Sequence, residues 1–131
     1  MMTGIDTNIL ARFFTQDDPE QSRRADEFLQ TLTPESPGFL SLVSLAELMW
    51  LLRCRYGTSK AQLIEYVKLL LSSSELVLES QAAVDQAIHL FAAGKADFAD
   101  CLIERSGHLA GCGHTVTFDE GASRFAGMKL L

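Results

Sequence analysis

The sequence predicts an α/β fold, a three-layer sandwich in which a central parallel sheet of about four to five strands is flanked by helices. Two observations predict it. Short apolar runs of β type alternate along the chain with longer segments of helical periodicity. In addition, acidic residues follow several of these runs, where an open parallel sheet carries its functional sites.

The N-terminal part predicts one strand followed by two helices. Residues 2–5 form an apolar run that reads as the first strand. Residues 7–15 have helical periodicity, with the large apolar side chains on one side. Residues 19–32 form a second, mostly polar helix, because Asp18 suits an N-cap and Pro19 suits the first helical position.

The middle of the chain predicts two strands, at residues 39–42 and 76–78, and three helices, at residues 44–57, 58–71 and 81–93. Ser44 is expected to open the first of these helices and Gly57 to follow its end. The first half of that helix is apolar on nearly every side, so part of its covering is expected to come from a partner subunit. Thr58 or Ser59 caps the next helix.

The C-terminal part predicts a helix followed by two short strands, at residues 97–110, 114–118 and 128–131. In the helix, Leu102 and Ile103 are expected to face inward, and Glu104 and Arg105 are expected to face solvent. The last strand is expected to lie at an edge of the sheet.

Length and composition fit one domain over residues 1–131. The chain has 131 residues, 47% of them hydrophobic and 21% charged, which excludes a disordered or fibrous protein. No apolar run approaches the roughly 18 residues that span a bilayer, and no signal-peptide pattern is present, so a cytoplasmic location is expected. Three cysteines at irregular spacing argue against a disulfide framework.

The formal net charge of −6 ordinarily counts against nucleic-acid binding, because phosphate contacts need Lys and Arg. This objection does not apply where acids surround a divalent ion, since the positively charged ion can itself bind a phosphate. Four basic residues are candidates for such contacts: Arg12, Lys95, Arg105 and Arg124.

Four acidic residues lie in separate stretches of the chain, each just past an apolar run: Asp6, Glu47, Asp100 and Asp119. If the fold brings them together, their mutual repulsion requires a divalent cation. Their oxygen ligands suit Mg²⁺, which can supply a nucleophilic water and stabilise charge on a phosphoryl oxygen.

Each acid also has a structural explanation. Ser44 and Glu47 have the spacing of a capping box, and Asp97 and Asp100 that of a cap and a first-turn acid. Asp6 and Asp119 suit N-caps where a strand gives way to a helix. Capping and metal binding are compatible, because helix N-termini beyond the carboxyl ends of parallel strands face one crevice.

Other chemistries have little support. Cys112 with His108 and His114 lacks a fourth ligand at the spacing of a zinc finger. The chain contains no GxxxxGK[ST], GxGxxG or GxSxG motif. Trp50 is interpreted as a core or interface residue rather than as a platform for base stacking.

Four motifs, in order, resemble those of one family. IDTNIL at Asp6, SLAEL at Glu47, ADFADCLI at Asp100 and TFD at Asp119 look like the motif series of PIN-domain ribonucleases, especially the VapC-like toxins of type II toxin–antitoxin pairs. Their order, their spacing and the length of the chain all fit, so the resemblance covers essentially the whole sequence.

The resemblance implies a role for each acid. Asp6 and Asp100 match direct metal ligands, and Asp119 matches the acid that holds a second ion or a water. Glu47 matches the helical acid that reaches the site, often through water. Four polar residues match accessory positions: Thr7, Asn8, Asp97 and Thr117. Glu104 and Arg105 depart from the Ala-Ala that family members often carry there.

The resemblance also implies a function. The chain is expected to be an endoribonuclease that uses Mg²⁺, or Mn²⁺ as a substitute, and that acts as a toxin. It is expected to form a homodimer and to be silenced by a cognate antitoxin that wraps its apolar helices. Two alternatives stay open: a PIN-like module that binds protein without catalysis, and another metal-dependent phosphohydrolase that acts on small nucleotides.

Overall fold

All of residues 1–131 are described by the computed structural model, which divides the chain into a first unit, Met1–Ser80, and a second unit, Gln81–Leu131. Each unit combines α-helices with parallel strands. The predicted α/β class and the parallel pairing are therefore confirmed. None of the helices has both the length and the apolarity that a bilayer-spanning segment needs.

The first unit contains three strands and four helices. In chain order they are β1 (Thr3–Gly4), α1 (Thr7–Thr15), α2 (Pro19–Gln30), β2 (Gly38–Leu40), α3 (Leu42–Tyr56), α4 (Lys60–Ser72) and β3 (Leu76–Leu78). The strands form one parallel sheet in the order β1-β2-β3. Phe39 sits at its centre, opposite Gly4 on one side and Val77 on the other.

The second unit contains three helices and two strands. They are α5 (Gln81–Ala93), α6 (Phe98–Leu109), β4 (Val116–Thr117), α7 (Glu120–Phe125) and β5 (Lys129–Leu130). The two strands pair with each other in parallel, with Val116 opposite Lys129. The helices α5 and α6 pack together, and Phe91 meets Phe98 edge to face with ring centroids 5.9 Å apart.

The number of strands in the main sheet differs from the prediction. Three strands form that sheet, and β4 and β5 form a separate sheet of two, whereas about four to five strands were expected in one sheet. The positions of the five strands were readable from local apolar runs. Their pairing was not, because pairing depends on contacts between segments far apart in sequence.

The core of the first unit lies between its sheet and its helices. Helix α1 buries Thr7, Leu10 and Ala11, which recur at the spacing of one helical face. Gly38 allows β2 to lie close to its neighbours, because a Cβ at this position would clash with the Ile5 side chain. The most deeply buried large side chains of this unit are aliphatic: Leu10, Leu40, Leu45, Leu48, Leu52, Leu63 and Val67.

The orientation predicted for α6 is wrong at two positions. Ile103 is 54% exposed, whereas Glu104 is only 9% exposed. The Glu104 carboxylate is tolerated there because Arg105 donates to both of its oxygens, through Nε at 2.6 Å and Nη2 at 3.0 Å. The buried side of α6 is formed by Phe98, Cys101 and Leu102, and Glu104 extends it.

Candidate active site

Asp6 lies where β1 gives way to α1. It is the N-cap of α1, and its Oδ1 accepts a hydrogen bond of 2.8 Å from the amide of Thr7. The side chain is exposed. Its predicted role as a cap is confirmed, and the positive end of the helix dipole stabilises its charge.

Thr7 follows Asp6 and carries a polar atom that has no partner within the protein. The residue is 3% exposed, and its hydroxyl oxygen is buried without a hydrogen-bond partner. A buried hydroxyl left in this way costs about 1–3 kcal/mol. The turn at Asp6 therefore contains an unsatisfied polar group beside its carboxylate, and the next residue, Asn8, is exposed.

Glu47 lies on α3 and does not form the predicted capping box. The N-cap of α3 is Ser41, whose hydroxyl accepts from the Ser44 amide at 3.1 Å. The Leu42 amide donates to the Glu79 carboxylate at 2.9 Å. Because α3 begins at Leu42 rather than near Ser44, Glu47 falls beyond its first turn and stands exposed.

Three acids of the second unit lie at the starts of its helices. Asp97 occupies the N-cap position of α6 without a capping hydrogen bond from its side chain, and Asp100 lies in the first turn. Asp119 caps α7, since its Oδ1 accepts from the Ala122 amide at 3.0 Å. The Thr117 hydroxyl accepts from the amide of Asp119 at 3.0 Å and so fixes the turn in which this acid sits.

Asp100 is the acid most affected by its surroundings. Partial burial raises the pKa of its carboxyl, and the negative charges of Asp97 and then Asp119 raise it further. The Asp100 carboxylate therefore lies within reach of the other two negative charges. We call Asp97, Asp100 and Asp119 the second-unit acid cluster. Asp6 and Glu47 belong to the first unit.

The donor chemistry of these residues suits a hard divalent cation. Carboxylate oxygens are the ligands that Mg²⁺ and Mn²⁺ prefer, and a cation would relieve the repulsion at Asp100. No group of three or more His, Cys, Asp or Glu side chains in residues 1–131 has the geometry to hold a metal ion. Asp6 and Asp119 instead turn one oxygen each toward a helix amide.

Two of the four basic residues considered for RNA contacts have internal partners. Arg12 contacts Asp17 at 3.3 Å and the Tyr56 hydroxyl at 3.1 Å. Arg105 is held by Glu104, as described above. Lys95 and Arg124 are exposed, and the guanidinium of Arg124 lies 6.0 Å from the centroid of the Phe125 ring.

Sequence reasoning missed one acid that positions the site. Glu79 follows β3, as Asp6 follows β1, and its carboxylate accepts from the first amide of the helix that carries Glu47. The signal was present in the sequence as a further acid directly after an apolar run. Local pattern does not connect it to the start of α3, because Glu79 and Leu42 are 37 residues apart in sequence.

The PIN domain family matches residues 5–128 of the chain, which is nearly its full length. The chain therefore belongs to the PIN domain family. Its members are generally metal-dependent nucleases, a class of hydrolase. A search among curated proteins gave no significant match.

Proposed function

We propose that this PIN-domain chain is a divalent-metal-dependent endoribonuclease of the cytoplasm, and that it is the toxin of a toxin–antitoxin pair. Family membership supports a metal-dependent nuclease. The motif series resembles that of the VapC-like toxins, and this resemblance supports the narrower assignment to RNA and to a toxin.

One observation carries the proposal. The pKa of Asp100 is raised because its carboxyl is partly buried and because the negative charges of Asp97 and Asp119 act on it. Carboxylates arranged only for helix capping do not need to repel one another, since Ser or Thr caps a helix without charge. This repulsion is the expected signature of a site that receives a cation.

The proposed metal ligands are Asp6, Asp100 and Asp119, with Mg²⁺ as the natural ion and Mn²⁺ as a substitute. When bound, the ion supplies positive charge for the phosphate oxygens and makes water easier to deprotonate. Glu47 and Asp119 are proposed to orient the water that attacks phosphorus. The oxygen of this water forms a bond to phosphorus and releases a proton to solvent, the P–O bond to the leaving oxygen breaks, and that oxygen takes up a proton, so that one RNA fragment ends in a phosphate and the other in a hydroxyl.

The remaining polar residues position these acids. The Thr117 hydroxyl accepts a hydrogen bond from the amide of Asp119 and so holds the turn in which Asp119 sits. Thr7 and Asn8 lie in the first turn of α1, directly after Asp6. The buried Thr7 hydroxyl is proposed to bind a water or a substrate oxygen, since no protein group satisfies it. Asp97 is an accessory acid that adds negative charge at Asp100.

A groove in the first unit suits the proposed antitoxin. It encloses about 530 Å³, has a mostly aliphatic floor, and carries Asp26 and Glu75. An amphipathic segment with basic flanks would bury its apolar side chains in such a groove and pair its charges with these acids. Leu10, Phe13, Leu29 and Leu69 are among the apolar residues that line it.

A homodimer is the proposed state of the toxin. Apolar side chains on α5 and α6 of the second unit remain exposed: Leu90, Ile103 and Leu109. Exposed apolar side chains such as these are a common feature of interfaces between subunits.

The proposal is tested with purified wild-type protein and single-stranded RNA. Cleavage is expected in Mn²⁺ or Mg²⁺, and it is expected to stop when a chelator removes the metal and to return when metal is restored. Asp6→Asn and Asp100→Asn should abolish cleavage and growth inhibition while circular dichroism shows an intact fold. Full activity in either purified variant would contradict the assignment.

One observation favours a second candidate, a PIN-like module that binds a partner without catalysis. The acids lack the geometry of a metal site in residues 1–131. Such a module would keep the groove between α1, α2 and α4, yet calorimetry would detect no Mn²⁺ binding and no RNA would be cut. The measurements above therefore separate the two candidates.

A further inference from the structure

The outer side of α3 carries an exposed aromatic ring beside a candidate catalytic acid. Trp50 is 57% exposed and Val43 is 79% exposed, so of the two roles expected for Trp50, core or interface, the core role is wrong. Because successive helical residues turn by about 100°, five exposed residues share this side. We call them the α3 outer face: Val43, Glu47, Trp50, Arg53 and Cys54.

The exposure of this face does not result from poor packing of α3 in the core. Four residues on the opposite side of the helix are buried and anchor it: Leu45, Leu48, Met49 and Leu52. The helix is also fixed at its start by Ser41 and Glu79. Trp50 is therefore displayed on a rigid element, three residues after Glu47.

We propose that the α3 outer face is a binding site for single-stranded RNA, in which a nucleobase stacks on the indole of Trp50. This inference rests on the proposed function, because it takes Glu47 as a residue of the cleavage site. Bases of unpaired RNA are commonly held by stacking on aromatic side chains, and Trp offers the largest ring.

The charges of the helix suit this occupant. The last turn of α3 carries Arg53 and Arg55, both exposed, whereas Glu47 is the only acid in the helix. On the α3 outer face, Glu47 precedes Trp50 by three residues and Arg53 follows it by three, so a strand whose base lies on Trp50 would bring a phosphate toward Arg53. Phosphate contacts with Arg add affinity without reading sequence, and stacking tolerates any base.

A second copy of the chain is a less suitable occupant of the same face. Docking two copies here would bury the carboxylate of Glu47 along with the apolar side chains. Burial of charged groups costs several kcal/mol unless each is well paired. Such an interface would also cover the acid that the proposed reaction needs.

The protein contains a single tryptophan, so the fluorescence of Trp50 reports directly on this face. Full-length protein in a chelator, where no cleavage takes place, is titrated with single-stranded oligoadenylate and with an abasic oligomer of the same length. Oligoadenylate is expected to quench the emission as it binds. The abasic oligomer is expected to bind about tenfold more weakly and to leave the emission unchanged.

Variants then separate stacking from other effects, with binding measured by the anisotropy of labelled RNA. Trp50→Ala should weaken binding about tenfold, and Trp50→Phe should recover most of it, because the smaller ring still stacks. Val77→Ala is the control, since it truncates an exposed apolar side chain of β3 and should leave affinity unchanged. Melting curves verify that each variant is folded.

Two results would overturn the inference. The first is equal affinity of Trp50→Ala and the wild type for oligoadenylate. The second is Trp50 emission that does not change with RNA but shifts with protein concentration. If Trp50→Ala is also monomeric in sedimentation, these results would assign the face to a second copy. Because binding is read without metal, a wild-type protein that binds RNA but never cuts it would instead contradict the proposed function alone.

Discussion

Two carboxylates near helix starts, Asp17 and Asp100, have opposite electrostatic surroundings in this fold. In the first unit, Asp17 accepts hydrogen bonds from Tyr56 at 2.6 Å and Thr15 at 2.8 Å and contacts Arg12, so the pKa of its carboxyl is lowered. In the second unit, Asp100 is partly buried beside Asp97 and Asp119, so the pKa of its carboxyl is raised.

The difference separates a structural acid from a candidate functional one. Tyr56 lies at the end of α3 and Asp17 lies between α1 and α2, so their hydrogen bond ties three helices together. Asp100 has the opposite surroundings, because the negative charges of Asp97 and Asp119 act on its partly buried carboxyl. An arrangement of charges that lowers the stability of the free protein is expected at a site where binding of a ligand offsets that loss.

The largest expected effect contrasts the two acids in RNA cleavage. Asp100→Asn should lower the rate by about 10³-fold or more, to the limit of detection, because it removes a proposed metal ligand and with it stabilisation of charge in the transition state. Asp17→Asn should leave the rate unchanged, because its carboxylate serves only the packing of α1, α2 and α3. Comparable losses in both variants, measured on labelled RNA, would erase the distinction.

A smaller effect is expected on stability. Tyr56→Phe removes the hydroxyl that donates to Asp17 and accepts from Arg12. Denaturant unfolding should show a loss of about 0.5–1.5 kcal/mol, the usual net value of a hydrogen bond, with RNA cleavage unaffected. Phe125→Ala on α7 is a control of similar exposure outside this network. A stability equal to that of the wild type would show that the network does not tie the helices.

The smallest effect is a difference in pH dependence, measured by thermal unfolding in a chelator. A raised pKa means that the stabilising contribution of Asp100 is present in acid and lost as pH rises through that pKa. Asp100→Asn should therefore be more stable than the wild type at neutral pH, and the two should converge below the ordinary Asp value of 3.8.

Asp17 should show the reverse sign. Its lowered pKa gives a contribution that is present above the ordinary value and lost as pH falls through the folded-state pKa. Asp17→Asn should be less stable than the wild type at neutral pH, and the two curves should meet in strong acid. The same sign for both variants would contradict the account of these two acids.

Local features of this protein were predictable from its sequence. The bounds of α1 and α5, and the caps Asp6, Asp18 and Asp119, follow from periodicity and capping chemistry that involve only nearby residues. The candidate acids were found in the same way, because each follows an apolar run.

Features that depend on distant residues were not predictable. The start of α3 was placed near Ser44, but Ser41 caps it and Glu79 holds its first amide from 37 residues away. The burial of Glu104 depends on Arg105, whose guanidinium also reaches Gln86 on α5 at 3.5 Å. Strand pairing and the exposure of Trp50 likewise follow from packing rather than from local pattern.

The most direct test of the central claim is calorimetric titration of Mn²⁺ into the metal-free protein at neutral pH. The claim is that the repelling carboxylates around Asp100 belong to a metal site. The wild type and Asp17→Asn are expected to bind Mn²⁺ alike, and Asp100→Asn is expected to bind it at least about tenfold more weakly. Absence of binding to the wild type, or equal affinity in Asp100→Asn, would contradict the claim.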